Sequence, residues 1–499
     1  MIDWQWECFD RYTHSGVFNV ADAGPLLSPI RTFKITRNSK LGLILETLVV
    51  GEAQASSVPV HPKGTVRLTT ETVEFTGNGG IRCTAHGVVP FSRSETHNAE
   101  LVKETTQKAQ VHSLTARLRN DVAVAYTIDW LGNLNRGVYV WRGTSISKMR
   151  ETIDTLTLGY GAEAIELSAR TNTLNSTNFS ALEMVIAGVR LFLCDCAPEV
   201  SKGVERPGYI FYVGDPTDEY RTKIRQVISF CLGNYLIYLG STMLSGMSEI
   251  VAFSAMSPPS IGQVSEIPVL PPAFLSSGDA LIAEQQIVAR MVNAVYAHYD
   301  EIGFNSFSWA YWHAMCAPVH MAAGHFGAAI EALQSAYMKA HPAKLDKTLI
   351  TDKAKWTHLK EALLKAVKEA GLETAVSTIL TNKIKSNLNQ TPQSVLSEKI
   401  LAEIGIILGQ VESAAWKRRN VAAHGCEVDL NSVIPTIMET KLLKIILHRI
   451  VLKITGASDR YYDDYTIGHA IRNVTEPVPT PPPAPDAQPP ARGDMVHEG

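Results

Sequence analysis

Apolar positions follow two rhythms along the chain. Over residues 1 to about 215 they come in short or alternating runs: Phe33-Lys34-Ile35-Thr36, Leu43 to Val50, Val138 to Trp141, Ala164 to Ser168 and Tyr209 to Val213. Clusters of Pro, Gly, Ser and Asn separate them, which is the punctuation of strands joined by turns. Val73 and Phe75 precede Gly77-Asn78-Gly79-Gly80, a turn signal, and the next strand begins at Ile81. Short strands with many turns predict a sandwich or barrel-like domain. Asp218 to Leu232 departs from this rhythm, with Ile224, Val227, Ile228 and Cys231 at helical spacing and Gly233-Asn234 at its end. Strands resume at Tyr235 to Leu239 and Ile250 to Phe253, so this helix is expected to lie against a sheet.

Met256 to Asp279 holds Pro258, Pro259, Pro268, Pro271 and Pro272 among several serines, the composition of a linker. Beyond it the period is helical. Leu281, Val288, Val292, Val295 and Tyr299 form one stripe, with Asp279 as a cap. Met321 to Lys339 carries Phe326, Ile330, Leu333 and Tyr337 on one face, and Lys353 to Ala370 is built on Trp356, Leu359, Leu363, Leu364 and Val367. Thr374 to Leu388 is a further helix. Thr391-Pro392 opens another, and Leu396, Ile400, Ile404, Ile407 and Val411 carry its stripe toward Arg419. Gly425 suits the end of that helix. Asn431 or Ser432 caps the last one, which runs through Leu442, Leu443, Ile446, Ile450 and Ile454 to Gly456. The expected fold class is α+β: a β-rich N-terminal domain over 1–255, a linker over 256–279, an all-α helix bundle over 280–465 and a disordered proline-rich tail over 474–499.

One stretch carries chemistry: Trp416-Lys417-Arg418-Arg419-Asn420-Val421-Ala422-Ala423-His424-Gly425. An arginine and a histidine suffice to cleave RNA, because the 2′-hydroxyl beside each phosphate is a built-in nucleophile. Histidine changes charge near neutral pH, and arginine presents a planar cationic fork to phosphate oxygens. Five positions along an ideal helix turn through about 500°, which leaves Arg419 and His424 about 140° apart, whereas Asn420 and His424 share a face. Arg419 and His424 therefore meet on one phosphate only if the helix breaks near Ala423, or if two protomers each contribute. The plainer alternative is that Arg418 and Arg419 neutralise a helix C-terminus while His424 caps a carbonyl.

At Arg419, Asn420 and His424 the sequence resembles the HEPN superfamily, whose hallmark is an arginine, usually followed by a polar residue, and then a histidine after four to six intervening positions. The layout, a β-rich front half before a helical module, also resembles the Apea type of anti-phage HEPN protein. The resemblance implies a metal-independent endoribonuclease that needs no cofactor, works as a homodimer through its HEPN-like bundle, and leaves 2′,3′-cyclic phosphate ends. It assigns His424 to general acid–base work, Arg419 to phosphate binding and Asn420 to orienting the histidine or the phosphate. Lys417 and Arg418 would add RNA contacts. An abortive-infection role, with a phage-derived trigger acting on the N-terminal domain, would follow. Some HEPN proteins place an acidic residue against the motif; here Glu331 would take that place or stand as a solvated surface glutamate. The alternative function is a non-catalytic RNA-binding or dimerisation module with a ligand-sensing β-domain. A carbohydrate hydrolase has no paired-carboxylate signature in its favour.

Bulk properties narrow this only a little. A chain of 499 residues should split into domains, and 45% hydrophobic with 19% charged residues is ordinary for a soluble protein. A net charge of −3 leaves RNA attraction to local patches, such as Lys344, Lys347, Lys353, Lys355, Lys360, Lys365, Lys368, Lys383 and Lys385, which otherwise form a solvated face. The acidic, aromatic N-terminus is unlike a signal peptide and no apolar run reaches membrane-spanning length, so a cytoplasmic protein is expected. Seven cysteines argue against a disulfide framework. Cys194 and Cys196 read as thiols on one strand face sooner than a zinc pair, and no metal site is assigned. His313, Cys316, His320 and His325 have ligand-like spacing, but Pro318 interrupts the register and core hydrogen bonding is the plainer reading. Gly159-Tyr160-Gly161-Ala162-Glu163-Ala164 matches a dinucleotide fingerprint with Glu183 at the acidic position, yet a strand-like run follows where a helix is needed, so a turn is expected.

Overall fold

A computed structural model describes residues 13–54, 71–97, 99, 102–134, 140–158, 165–196, 206–258, 270–278, 282–342, 348–423 and 432–480; of residues 140, 142, 145–158, 165–180 and 420–423 it describes the backbone. The chain divides into two compact units, one formed by Met1–Cys316 with Thr455–Ser458, the other by Ala317–Ile454 with Asp459–Gly499. An α+β fold class is borne out: antiparallel sheet dominates the first part of the chain and helices the second.

In chain order the first unit holds β1 (Phe18–Asp22), β2 (Thr32–Arg37), β3 (Leu43–Val50), β4 (Thr72–Gly77), β5 (Arg82–His86), β6 (Val89–His97), β7 (Lys103–Val111), β8 (Ser113–Arg117) and β9 (Tyr126–Leu131). It continues with β10 (Val140–Arg142), β11 (Thr144–Leu158), β12 (Ile165–Ile186), β13 (Val189–Asp195), β14 (Gly208–Val213), α1 (Asp218–Leu232), β15 (Tyr238–Leu244), β16 (Ile250–Met256), β17 (Ile282–Glu284), α2 (Gln285–Ala297) and α3 (Phe304–Cys316). Eleven strands form one antiparallel sheet in the order β1-β4-β5-β8-β16-β15-β9-β14-β13-β12-β11, and β2-β3-β7-β6 form a second. Alternation decides which face is covered. Phe33, Ile35, Leu43 and Leu45 of the small sheet share a core with Val73, Phe75, Cys83 and Ala85 of the large one, and the Phe33 and Phe75 rings lie 4.5 Å apart. The two sheets share this core, as the layers of a sandwich do.

Helix α1 follows the boundaries expected from its period, down to Gly233, which caps it with a left-handed φ of 68°. Its Phe230 ring meets Phe304, Phe307 and Tyr311 of α3 at 5.8, 6.0 and 5.6 Å. That aromatic cluster corrects the expected domain boundary. Helices α2 and α3, assigned by sequence to a bundle starting at 280, belong to the first unit, and the division falls between Cys316 and Ala317 instead of in the 256–279 linker. Part of that linker is itself packed: Ala273 and Leu275 are buried, and the Glu284 amide donates to the Leu275 carbonyl at 2.8 Å. The first bundle helix begins at Gln285, not Asp279, because Ile282–Glu284 pair in parallel with Val140–Arg142.

The second unit holds α4 (Val319–Ala340), α5 (Lys353–Glu369), α6 (Thr374–Ser386), α7 (Gln393–Glu403), α8 (Gln410–Ala423), α9 (Val433–Thr455, all but its last residue), β18 (Arg460–Tyr462) and β19 (Ile471–Asn473). The expected single helix from Pro392 to Arg419 is two. Gly405 takes φ +70°, the Ile406 amide bonds back to the Leu401 carbonyl at 2.8 Å, and α8 starts afresh at Gln410. Ile407, placed by the sequence on the buried stripe, is instead 72% exposed. After α9 the chain packs on this unit: Tyr461 and Asp463 are fully buried, and Val474 and Val478 nearly so. Disorder from Val474 is therefore corrected as far as Thr480, because two valines interrupt the prolines and bury; residues 481–499 lie outside the described ones. Among the described residues no helix is long and apolar enough to cross a membrane.

Candidate functional site

Helix α8 buries the face formed by Glu412, Ala415, Trp416 and Arg419, at spacings of three, four and seven from the first. A charged residue thus sits at each end of its inner stripe. Arg419 lies along α4, where Gly327 leaves room: a Cβ there would stand 3.2 Å from the Arg419 Cδ and 3.4 Å from its Cβ and Cγ. One turn further on α4, Glu331 receives the guanidinium, with Nε at 3.3 Å and Nη2 at 3.0 Å from the same carboxylate oxygen. Nη1 donates to the Trp416 carbonyl at 2.7 Å, and the guanidinium lies 3.6 Å from the centroid of the Trp416 ring. The side chain of Arg419 is 8% exposed and that of Glu331 41%. The pair is therefore half open to solvent, through its acid. Glu331 does face the motif, as one of its two expected placements held.

The two residues before Arg419 face the other way. Lys417 and Arg418 are exposed, and Arg418 bonds to Glu439 of α9. Asn420 belongs to α8, but its side chain lies outside the description, and His424, one residue beyond the end of α8, lies outside the described residues. Gly425 does too. What the chain brings together is Arg419, Glu331, Trp416 and Gly327.

Sequence reasoning missed the partner of Glu412. Arg449, in the middle of α9, pairs with it, and neither side chain has any exposed surface. The Arg449 Nε donates to the Val474 carbonyl at 2.9 Å and Nη2 to that of Ile407 at 3.0 Å, while the second Glu412 oxygen takes the Gly409 amide at 2.7 Å. The pair ties together α8, α9, the turn before α8 and the returning tail. Its signal was available: an arginine inside the run Ile445-Ile446-Leu447-His448-Arg449-Ile450-Val451-Leu452 needs a buried partner. The neighbouring His448 is buried, and desolvation, helped by the Lys444 ammonium, holds its imidazole well below the ordinary 6.5.

The remaining candidates resolve in the first unit or along α4. Ile165 opens a strand pairing antiparallel with β11, so the glycine run 159–164, itself outside the described residues, is followed by no phosphate-binding helix. Burial pushes the Cys194 thiol up to about 12, which leaves it protonated. His313 Nδ1 donates to the Trp309 carbonyl at 2.7 Å and its ring stacks on that indole, while His320 and His325 stand on α4 beyond Pro318. Lys353, Lys355, Lys365, Lys368, Lys383 and Lys385 are exposed on α5 and α6, and Lys344 and Lys347 lie outside the described residues. In comparisons with known proteins, no protein family, no curated protein and no solved structure matches the chain.

Proposed function

We propose that the second unit is a HEPN-type endoribonuclease, independent of metal, that acts as a homodimer on RNA in anti-phage abortive infection. The supporting observation is the Arg419–Glu331 pair. A guanidinium seated on a glycine, backed by an indole and held by a half-exposed carboxylate is a phosphate site kept in waiting. An incoming phosphate takes the place of the Glu331 carboxylate and keeps the two donors Nε and Nη2 in use. In that reading His424 removes the proton of the 2′-hydroxyl, the oxygen attacks the adjacent phosphorus as the bond to the 5′-oxygen breaks, and the protonated His424 gives that proton to the leaving 5′-oxygen. The charge that builds on the phosphate falls to Arg419, with Asn420 orienting the histidine. Lys417, exposed beside the motif, and Arg418 add sequence-independent attraction. Ile434 and Ile437 expose apolar surface at the start of α9 and suit a second copy of the bundle.

The second reading, a non-catalytic RNA-binding or dimerisation module, draws on the same geometry, because every nitrogen of Arg419 already has an acceptor within the chain. The two part on one experiment. Full-length protein, His424→Ala and Arg419→Ala are incubated with total RNA in EDTA. The nuclease reading expects cleavage by the wild type, 2′,3′-cyclic phosphate ends, and a loss of at least about a hundredfold in His424→Ala. Equal cleavage by all three, or none by the wild type, leaves the binding module.

A further inference from the structure

The large sheet of the first unit has a second face, opposite the sandwich core, where hydroxyls cross four neighbouring strands at one level. Thr84 of β5 pairs with Thr115 of β8, Thr115 with Ser254 of β16, and Ser254 with Ser241 of β15. At about 4.8 Å per strand that row spans about 14 Å. It leads to Asp129 of β9, the register partner of Ser241, which is fully buried beneath Arg221 and Arg225 of α1. Above the row lies a cavity of about 550 Å³, of the size small-molecule sites have.

Charge brackets the row. Arg82 and Arg117 also line the cavity, directly opposite each other on β5 and β8 and two residues along from the threonines. Among the described residues neither has a carboxylate partner, and like charges facing each other across a strand pair are unfavourable unless an anion lies between them. Arg221 lines the other end; it is 5% exposed and its Nε–H is buried with no acceptor among the described residues. Against these three guanidiniums the lining holds one carboxylate, Asp218, which accepts from Arg221 at 3.1 Å. Met243, Ala252 and Met256 add an apolar patch.

We propose that this cavity binds a phosphate ester of mononucleotide size. Arg82 and Arg117 grip the phosphate, for which paired planar forks are suited, the hydroxyl row meets sugar hydroxyls, and the methionines take the flat base. A nucleic-acid strand would outrun a cavity of this volume, so the ligand is a small molecule.

The test is calorimetric titration of the full chain with AMP, adenosine and inorganic phosphate at millimolar concentration. AMP is expected to bind at one saturable site, inorganic phosphate more weakly there, and adenosine not at all. Arg82→Ala with Arg117→Ala is expected to weaken AMP by about tenfold or more, as the loss of charge-assisted hydrogen bonds does. Both residues are exposed on strands, so the melting temperature should stay; Arg93→Ala, on the small sheet, serves as the control that binds normally. Adenosine binding as tightly as AMP, no saturable AMP binding, or a double variant equal to the wild type would each overturn the assignment.

Discussion

Helix α8 takes part in three arginine–glutamate pairs that look alike in sequence and differ in surroundings. Glu412 meets Arg449 where neither has any exposed surface, and the other two guanidinium nitrogens and the other carboxylate oxygen bond to backbone groups. Seven residues along, Arg419 meets Glu331 through a side chain 8% exposed and an acid 41% exposed. A third pair on the same helix, Arg418 with Glu439, stands mostly in solvent at 66% and 25%. The series separates a structural lock from a candidate site. A fully desolvated pair holds structure because separating it leaves a bare buried charge, whereas a pair open on one side can exchange its acid for another anion.

The largest effect should come from breaking the lock. Glu412→Ala is expected to destabilise the second unit by about 3–5 kcal/mol in urea titration, enough to unfold a marginal protein, since Arg449 is left charged in an apolar interior. Replacing both members, Glu412→Leu with Arg449→Met, should recover most of that loss; an equal loss in the double variant would mean the pair contributes through packing and not charge.

Next comes acid. His448 is buried with a depressed pKa, so as pH falls below 6.5 the unfolded chain takes up a proton that the folded chain refuses. Stability should then drop by up to about 1.4 kcal/mol per pH unit and be unaffected above neutrality. Urea titrations from neutral to mildly acid pH compare the wild type with His448→Leu, and an undiminished slope in the variant would assign the loss to other groups.

Arg419→Ala should cost about 1–2 kcal/mol, less than the lock, because the Glu331 left behind is already 41% exposed and returns to water. A melting temperature that falls as far as for Glu412→Ala would place Arg419 with the structural pairs and weaken its candidacy as a phosphate ligand. The smallest effect belongs to Arg418→Ala, within about 0.5 kcal/mol by the same assay, as for other solvent-screened pairs.

Much of the layout was legible. The strand β3 and the helix α1 carry their own boundaries, the first through alternation from Leu43 to Val50, the second through its 3.6-residue stripe and Gly233. The strand-like residues behind the glycine run do form a strand, paired with β11 from Ile165 onward. Errors arose where a pattern had two meanings. The apolar stripe of α2 fits a bundle helix as well as a helix packed beside α1, and periodicity names no partner. Gly405 gives no break in the pattern, because Leu396, Ile400, Ile404 and Ile407 continue in helical register across it.

The candidate site shows the same division. Arg419, Asn420 and His424 could be singled out by residue type and spacing, whereas Glu331 enters only through the family resemblance, with a solvated surface glutamate as the alternative. That Arg419 turns inward onto Gly327, while Lys417 and Arg418 turn out, depends on which face of α8 the neighbouring helix covers. Alone, the sequence determined the identity and period of the elements, because backbone preference and alternation act over a few residues. Only the tertiary structure decided the pairing of Glu412 with Arg449 and of Arg419 with Glu331, and the hydroxyl row under three arginines. Those partners lie tens to more than a hundred residues apart, and no local rule specifies which charge a folded chain will bring to which.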